Sequence, residues 1–185
     1  MFKVIAFTGR RPKDLCGYNY DSYRSFVKEL TAFLAGIVDP SGTEFISGGA
    51  QGFDQLAFWA VNCLKREHSE WNIKNTVYVP FKGQESRWAK TGDFSQNDYQ
   101  KMLRFADEVK YLSDNVSNYG DIVKAMHSRN HAMVNDCDKL IALYPTDDWK
   151  TSKGGTAECM RYASSVGKEI VQIRYSIISS NLHIL

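Results

Sequence analysis

The chain reads as an α/β protein: a mostly parallel sheet of about six strands with helices on both faces, a three-layer sandwich. Three observations predict this. Short β-rich runs alternate with longer stretches of helical spacing. Pro12, Pro80 and Pro145 each fall just after a β-rich run, and no proline sits inside one. Two glycine-rich turns, Gly48 to Gly52 and Gly154-Gly155, each follow a strand-like run and open a helix-like one.

In order, Lys3 to Thr8 is a first strand, broken by Gly9-Arg10-Arg11-Pro12. Residues 21–38 carry an apolar stripe from Tyr23 and Phe26 to Leu34 and Ile37, with Asp21 or Ser22 as the cap. Glu44 to Ser47 is a second strand and Asp54 to Glu67 a second helix. Thr76 to Val79 is a third strand, followed by a long polar connection from Phe81 to Asn97. Asp98 to Ala106 is a short helix, and Glu108 to Leu112 a weak strand, short or near an edge. Asp121 to Cys137 is helical, Lys139 to Tyr144 a strong strand, Gly155 to Val166 a helix and Glu169 to Arg174 the last strand. The tail from Ser176 to Leu185 fits no single element. No repeat, low-complexity tract or linker divides residues 1–185, so they read as one domain.

Composition excludes several classes of function. Hydrophobic residues at 43% and charged residues at 24% suit a globular protein with a substantial core. A net charge of +2 is too small to argue for non-specific nucleic-acid binding. No apolar run approaches membrane-spanning length, and Val4-Ile5-Ala6-Phe7 is too short for a signal peptide. Cys16, Cys63, Cys137 and Cys159 are widely spaced, with no C-x-x-C pair, which suits small hydrophobes in a reducing compartment. A cytoplasmic location is expected. A homodimer stays open.

The chemistry is expected where parallel strands end. Ligands of such sheets bind outside the carboxyl ends of the strands, and both glycine turns and the arginine pair fall on that rim. Three glycines within Gly48 to Gly52 let backbone N–H groups approach an anion at a helix start; the plainer alternative is a tight turn. Gly154, Gly155 and Thr156 offer backbone and hydroxyl contacts to phosphate, or simply a helix cap. Arg10 or Arg11 could grip a phosphate bidentately, or stand in a solvated loop. Asp54 could accept from ribose hydroxyls, or complement the helix dipole. Trp88 and Tyr144 could stack on a base, or pack. His127 and His131 lie four apart on one helix face, but no H-E-x-x-H glutamate or third ligand is evident, so neither a metal nor another cofactor is expected.

Thr8-Gly9-x-x-Pro12, Ser47-Gly48-Gly49-Ala50-x-Gly52-x-Asp54, Pro80-Phe81 and Gly154-Gly155-Thr156-Ala157-Glu158 resemble, in order and spacing, the motifs of YpsA-like proteins. These belong to the SLOG superfamily, which also holds DprA and the LOG phosphoribohydrolases. The resemblance spans about Lys3 to Arg174 and implies a Rossmann-like sheet with a nucleotide or nucleotide derivative, ADP-ribose-like molecules included, as ligand. It places Thr8, Gly9 and Ala50 among the ligand-binding residues. Arg129 is placed like the arginine of the LOG enzymes, which cleave the bond between a base and ribose 5-phosphate. The position of their catalytic glutamate holds Cys159; Glu158 lies one residue earlier, about 100° round the helix. The leading expectation is therefore a nucleotide-binding sensor, carrier or sequestering module. Its alternatives are a LOG-like N-glycosidase using Glu158 and Arg129, and a DprA-like single-strand DNA binder.

Overall fold

A computed structural model of the chain describes residues 3–113 and 116–185. Six strands form one parallel sheet: β1 (Lys3–Gly9), β2 (Thr43–Ser47), β3 (Ile73–Val79), β4 (Glu108–Tyr111), β5 (Lys139–Leu143) and β6 (Glu169–Ile173). Their order across the sheet is β4-β3-β2-β1-β5-β6. The chain winds outward from β1 in one direction, then returns past β1 to add β5 and β6. Strand order reverses between β1 and β5, which makes that gap the topological switch point. This is a Rossmann-like α/β sandwich.

The five α-helices among the described residues are α1 (Arg24–Ala35), α2 (Phe53–Glu67), α3 (Gln96–Phe105), α4 (Tyr119–Asp136) and α5 (Gly155–Ser165). Alternate strand residues point to opposite faces, and two cores follow from that period of two. Ile5, Phe7, Phe45, Ile141 and Leu143 face α1 and α2, where Phe7 stacks on Phe45 with ring centroids 5.6 Å apart. Ala6, Ile46, Leu140 and Ala142 face α4 and α5, against Met133, Val134, Met160 and Ala163. A strand covered on both faces buries both of its alternating sets of side chains, which is why β5 reads as a continuous apolar run, Leu140 to Leu143.

Several boundaries differ from expectation for local reasons. The first helix begins as a 3-10 turn over Tyr20–Tyr23, capped by the Asn19 side chain, which accepts the Asp21 N–H at 2.9 Å; neither Asp21 nor Ser22 is the cap. β3 starts at Ile73 rather than Thr76, and Lys74 keeps its charge paired there with Glu44 and Glu108 of the neighbouring strands. β4 is short and stands at the sheet edge. The long connection after β3 folds back on the body: Phe94, fully buried at φ 56°, packs among Tyr18, Tyr20 and Tyr23, and its carbonyl accepts from Gln51 Nε2 at 2.7 Å.

The tail is a hairpin, β7 (Tyr175–Ile178) with β8 (Asn181–Ile184), turned by Ser179 and Ser180 at positive φ. Its turn lacks the Asn-Gly or Asp-Gly chemistry that announces a hairpin. Leu182 enters the α1 core, and Glu29 accepts from the Ile184 N–H at 2.8 Å, tying the hairpin to α1. No described helix is long and apolar enough to cross a membrane.

Candidate functional site

A cleft of about 420 Å³ opens at the switch point, over the ends of β1 and β5. Its walls come from the loop after β1, the start of α2, the middle of α4 and the start of α5. Of the residues singled out in the sequence, Thr8, Gly9, Arg10, Arg11, Ala50, Asp54, Arg129, Gly154, Gly155 and Thr156 line it. Gly48, Gly49, Gly52, Tyr144 and Glu158 do not.

The first glycine turn does something other than cradle a ligand. A Cβ on Gly48 would overlap the guanidinium of Arg129, and one on Gly49 would press within 2.9 Å of Tyr99 and Met102. Gly52, at φ 95°, lets the Arg10 carbonyl pass. That carbonyl accepts the Phe53 N–H at 3.1 Å, and the Ala50 N–H reaches Oδ2 of Asp54 at 3.4 Å. The expectation of free N–H groups at this helix start is therefore corrected: those two donors are spent on the protein itself. Each glycine of the turn makes room for another part of the protein, and at Gly48 that part is Arg129.

Arg129, on α4, is 5% exposed and Asp54 6%, and Nη1 donates to Oδ2 across 3.1 Å. Two charges out of water need each other; removing either leaves an uncompensated ion. Asp54 is thus committed to Arg129, which competes with the ribose role expected of it. Nε of Arg129 is buried with no hydrogen-bond partner among the described residues. Arg11, half-buried beside this pair, has its pKa lowered by burial, with Asp54 opposing and Arg129 reinforcing the shift.

The second glycine turn is open. Gly154, at φ 115°, and Gly155 have nothing within 4 Å of where a Cβ would stand. The N–H groups of Gly155, Thr156 and Ala157 open α5 at the cleft, and no preceding turn of helix supplies them a carbonyl. The Thr156 hydroxyl donates to the Gly9 carbonyl at 2.8 Å, so it latches α5 to β1 instead of offering its proton to a ligand. Lys13, Asp14 and Lys153 also line the cleft, though no motif drew attention to them. With Arg10, Arg11 and Arg129 the lining holds five cations against the carboxylates of Asp14 and Asp54.

Tyr144 is 1% exposed in the α4–α5 core, and Cζ of Arg10 lies 4.5 Å from its ring centroid. Its face is already covered. Trp88 packs edge-on against Tyr99 at 5.2 Å, beside α3. Neither is placed to stack on a ligand in the cleft.

Glu158 reaches two histidines of α4 and does not line the cleft. Its Oε1 lies 2.7 Å from Nε2 of His131, and its Oε2 3.3 Å from Nδ1 of His127, an ion-pair distance without hydrogen-bond geometry. The carboxylate the sequence lacked beside the two histidines therefore comes from α5. It meets each ring through a different oxygen, and no group of three such side chains among the described residues is arranged to hold a metal ion. Cys159 points the other way, into the core, where burial pushes its thiol up to about 12 and a hydrogen bond with Thr8 opposes the shift. Neither residue brings a carboxylate to the cleft.

Comparison with known proteins agrees with this reading of the motifs. The YpsA model, described as the YspA SLOG family, matches residues 5–178. The SPbeta prophage-derived protein YoqJ of Bacillus subtilis (strain 168) is 36% identical over 127 residues, covering 64% of this chain and 68% of that one. The UPF0398 protein ABC2016 of Shouchella clausii (strain KSM-K16) is 33% identical over 104 residues, covering 56% of this chain and 52%, about half, of that one. The chain belongs to the YpsA family of SLOG proteins.

Proposed function

We propose that the chain binds a nucleotide or nucleotide derivative through its phosphates and acts as a sensor, carrier or sequestering module. One observation carries the reading. The cleft at the switch point joins an open helix start, left bare by Gly154 and Gly155, to an excess of cationic side chains. Helix N-termini favour anions, and arginines match phosphate oxygens bidentately. Arg129 lines the same cleft and adds to its positive charge. A LOG-like N-glycosidase is the second reading, because Arg129 does line the cleft. It needs a carboxylate at the ribose, and Glu158 is engaged with His127 and His131 instead.

Mass spectrometry of small molecules released from the purified protein tests the proposal, followed by calorimetry with AMP, ADP and ADP-ribose. The expected result is a phosphorylated nucleoside compound whose affinity falls about tenfold or more in Arg11→Ala, the loss of a charge-assisted contact. Absence of binding to all three in folded protein would overturn the proposal. Steady release of free base from AMP, chromatographically measured, would replace it with the second reading.

A further inference from the structure

The cleft is chemically two-sided. The walls from the β1 loop and α5 carry Arg10, Arg11, Lys153 and the bare helix start. The α4 wall contributes Met126 and Asn130. These stand four apart and share one face of α4, whereas His127 and His131 face Glu158. Met126 packs into neither core of the sheet nor the small apolar cluster of Phe58, Val77, Val79, Tyr99 and Met102, and the Asn130 amide makes no hydrogen bond among the described residues. An unbranched thioether beside a free amide, at a cleft, has no structural task that the fold accounts for.

We infer that Met126 and Asn130 form the base-recognition wall of the cleft and select adenine over guanine. The inference rests on the proposed nucleotide binding and names the base. A thioether is polarisable and packs well against a flat aromatic ring. An amide offers one donor group and one acceptor side by side. Adenine presents N7 as acceptor beside N6 as donor, so the amide meets both at once. Guanine presents N7 and O6, two acceptors, and leaves the amide carbonyl facing an acceptor. The phosphate then runs toward the cationic walls, and Asn130 is a specificity-determining residue that the phosphate does not need.

Calorimetric titration of the whole chain with AMP, GMP and ribose 5-phosphate tests this, since the three share ribose and phosphate and differ only in the base. AMP is expected to bind about tenfold or more tighter than GMP, the discrimination a bidentate pair supplies. Asn130→Leu, close in volume and placed at a half-buried position, should erase that preference and leave ribose 5-phosphate within about twofold of wild type. Equal affinity for AMP and GMP in wild type overturns the inference without any variant. So does an equal loss of AMP and ribose 5-phosphate in Asn130→Leu, which would assign the amide to the sugar-phosphate. Ribose 5-phosphate binding with no base preference overturns this inference alone. No binding of any of the three overturns it together with the reading it rests on.

Discussion

Two turns in this molecule share one pattern, strand then glycines then helix, and they serve opposite ends. Gly48, Gly49 and Gly52 are buried, and a Cβ at any of them would collide with or crowd the protein itself. Gly154 and Gly155 are exposed, and a Cβ there would meet empty space. The first turn lacks side chains so that another part of the chain can come close. At the second, the space in front of the helix stays free. Glycine-rich turns at strand ends are usually read as ligand cradles. The difference here lies in what occupies the space beside the backbone, and the occupant beside Gly48 is Arg129, 75 residues away from its partner Asp54 along the chain.

The largest test of this contrast is Gly48→Ala. The new methyl group must displace the Arg129 guanidinium from Asp54 and strand two buried charges. Breaking a buried pair costs about 3–5 kcal/mol, so the melting temperature should fall by roughly 10 °C or more. Calorimetric or denaturant unfolding reads the loss directly; a fall of only a degree or two would mean that the turn yields and the contrast fails. A sharper version asks whether the arginine is the reason. In an Arg129→Ala background the same Gly48→Ala change adds a methyl where the guanidinium used to be. The two substitutions should then be strongly non-additive, with a coupling of about 2 kcal/mol or more. Additive losses would show that Gly48 is needed for backbone geometry and not for the arginine.

At the open turn the expected effect is smaller and of another kind. Gly155→Ala introduces a better helix former at a position with room for it, so stability should stay level or rise by about 0.4–1 kcal/mol. Affinity for ribose 5-phosphate should drop about tenfold, as the methyl group pushes the anion off the N–H groups. If instead Gly155→Ala binds as wild type does, the phosphate sits elsewhere in the cleft. The pair Gly48→Ala and Gly155→Ala thus separates stability from binding within one sequence motif.

The layered sheet, its strand number and the rim on which the cleft opens were legible in the sequence, because period and proline placement record burial and strand ends directly. Arg10, Arg11, Gly154 and Gly155 were legible as rim residues for the same reason. What sequence spacing did not show was pairing across long separations. Asp54 read as a free first-turn carboxylate until Arg129 arrived from α4. Glu158 read as a cleft residue, but its position in the first turn of α5 points it across to His127 and His131, while its neighbour Cys159 points into the core. One residue of offset on a helix is about 100° of rotation, and the motif pattern alone does not show which of two adjacent side chains faces the site. Lys13 and Lys153 sit outside every motif; basic residues flanking a strand-end turn were the available signal.

The smallest expected effect belongs to Glu158, and it decides between the two readings of the cleft. Its side chain is 25% exposed, and those of His127 and His131 are 46% and 39% exposed. Polar contacts this open are screened by solvent, and even as ion pairs would contribute about 0–1 kcal/mol. Glu158→Ala should therefore lower the melting temperature by no more than about 4 °C and leave ribose 5-phosphate affinity within about twofold of wild type. A catalytic carboxylate behaves differently. Misplacing a reacting group by about 1 Å can cost on the order of 100-fold in rate, and removing it costs more. If wild type releases adenine from AMP at a measurable rate and Glu158→Ala does not, the carboxylate must leave both histidines and swing past α4 during turnover, and the binding-module reading falls. If neither protein releases base while both bind the sugar-phosphate equally well, Glu158 is a tie between α4 and α5 that holds the two walls of the cleft together.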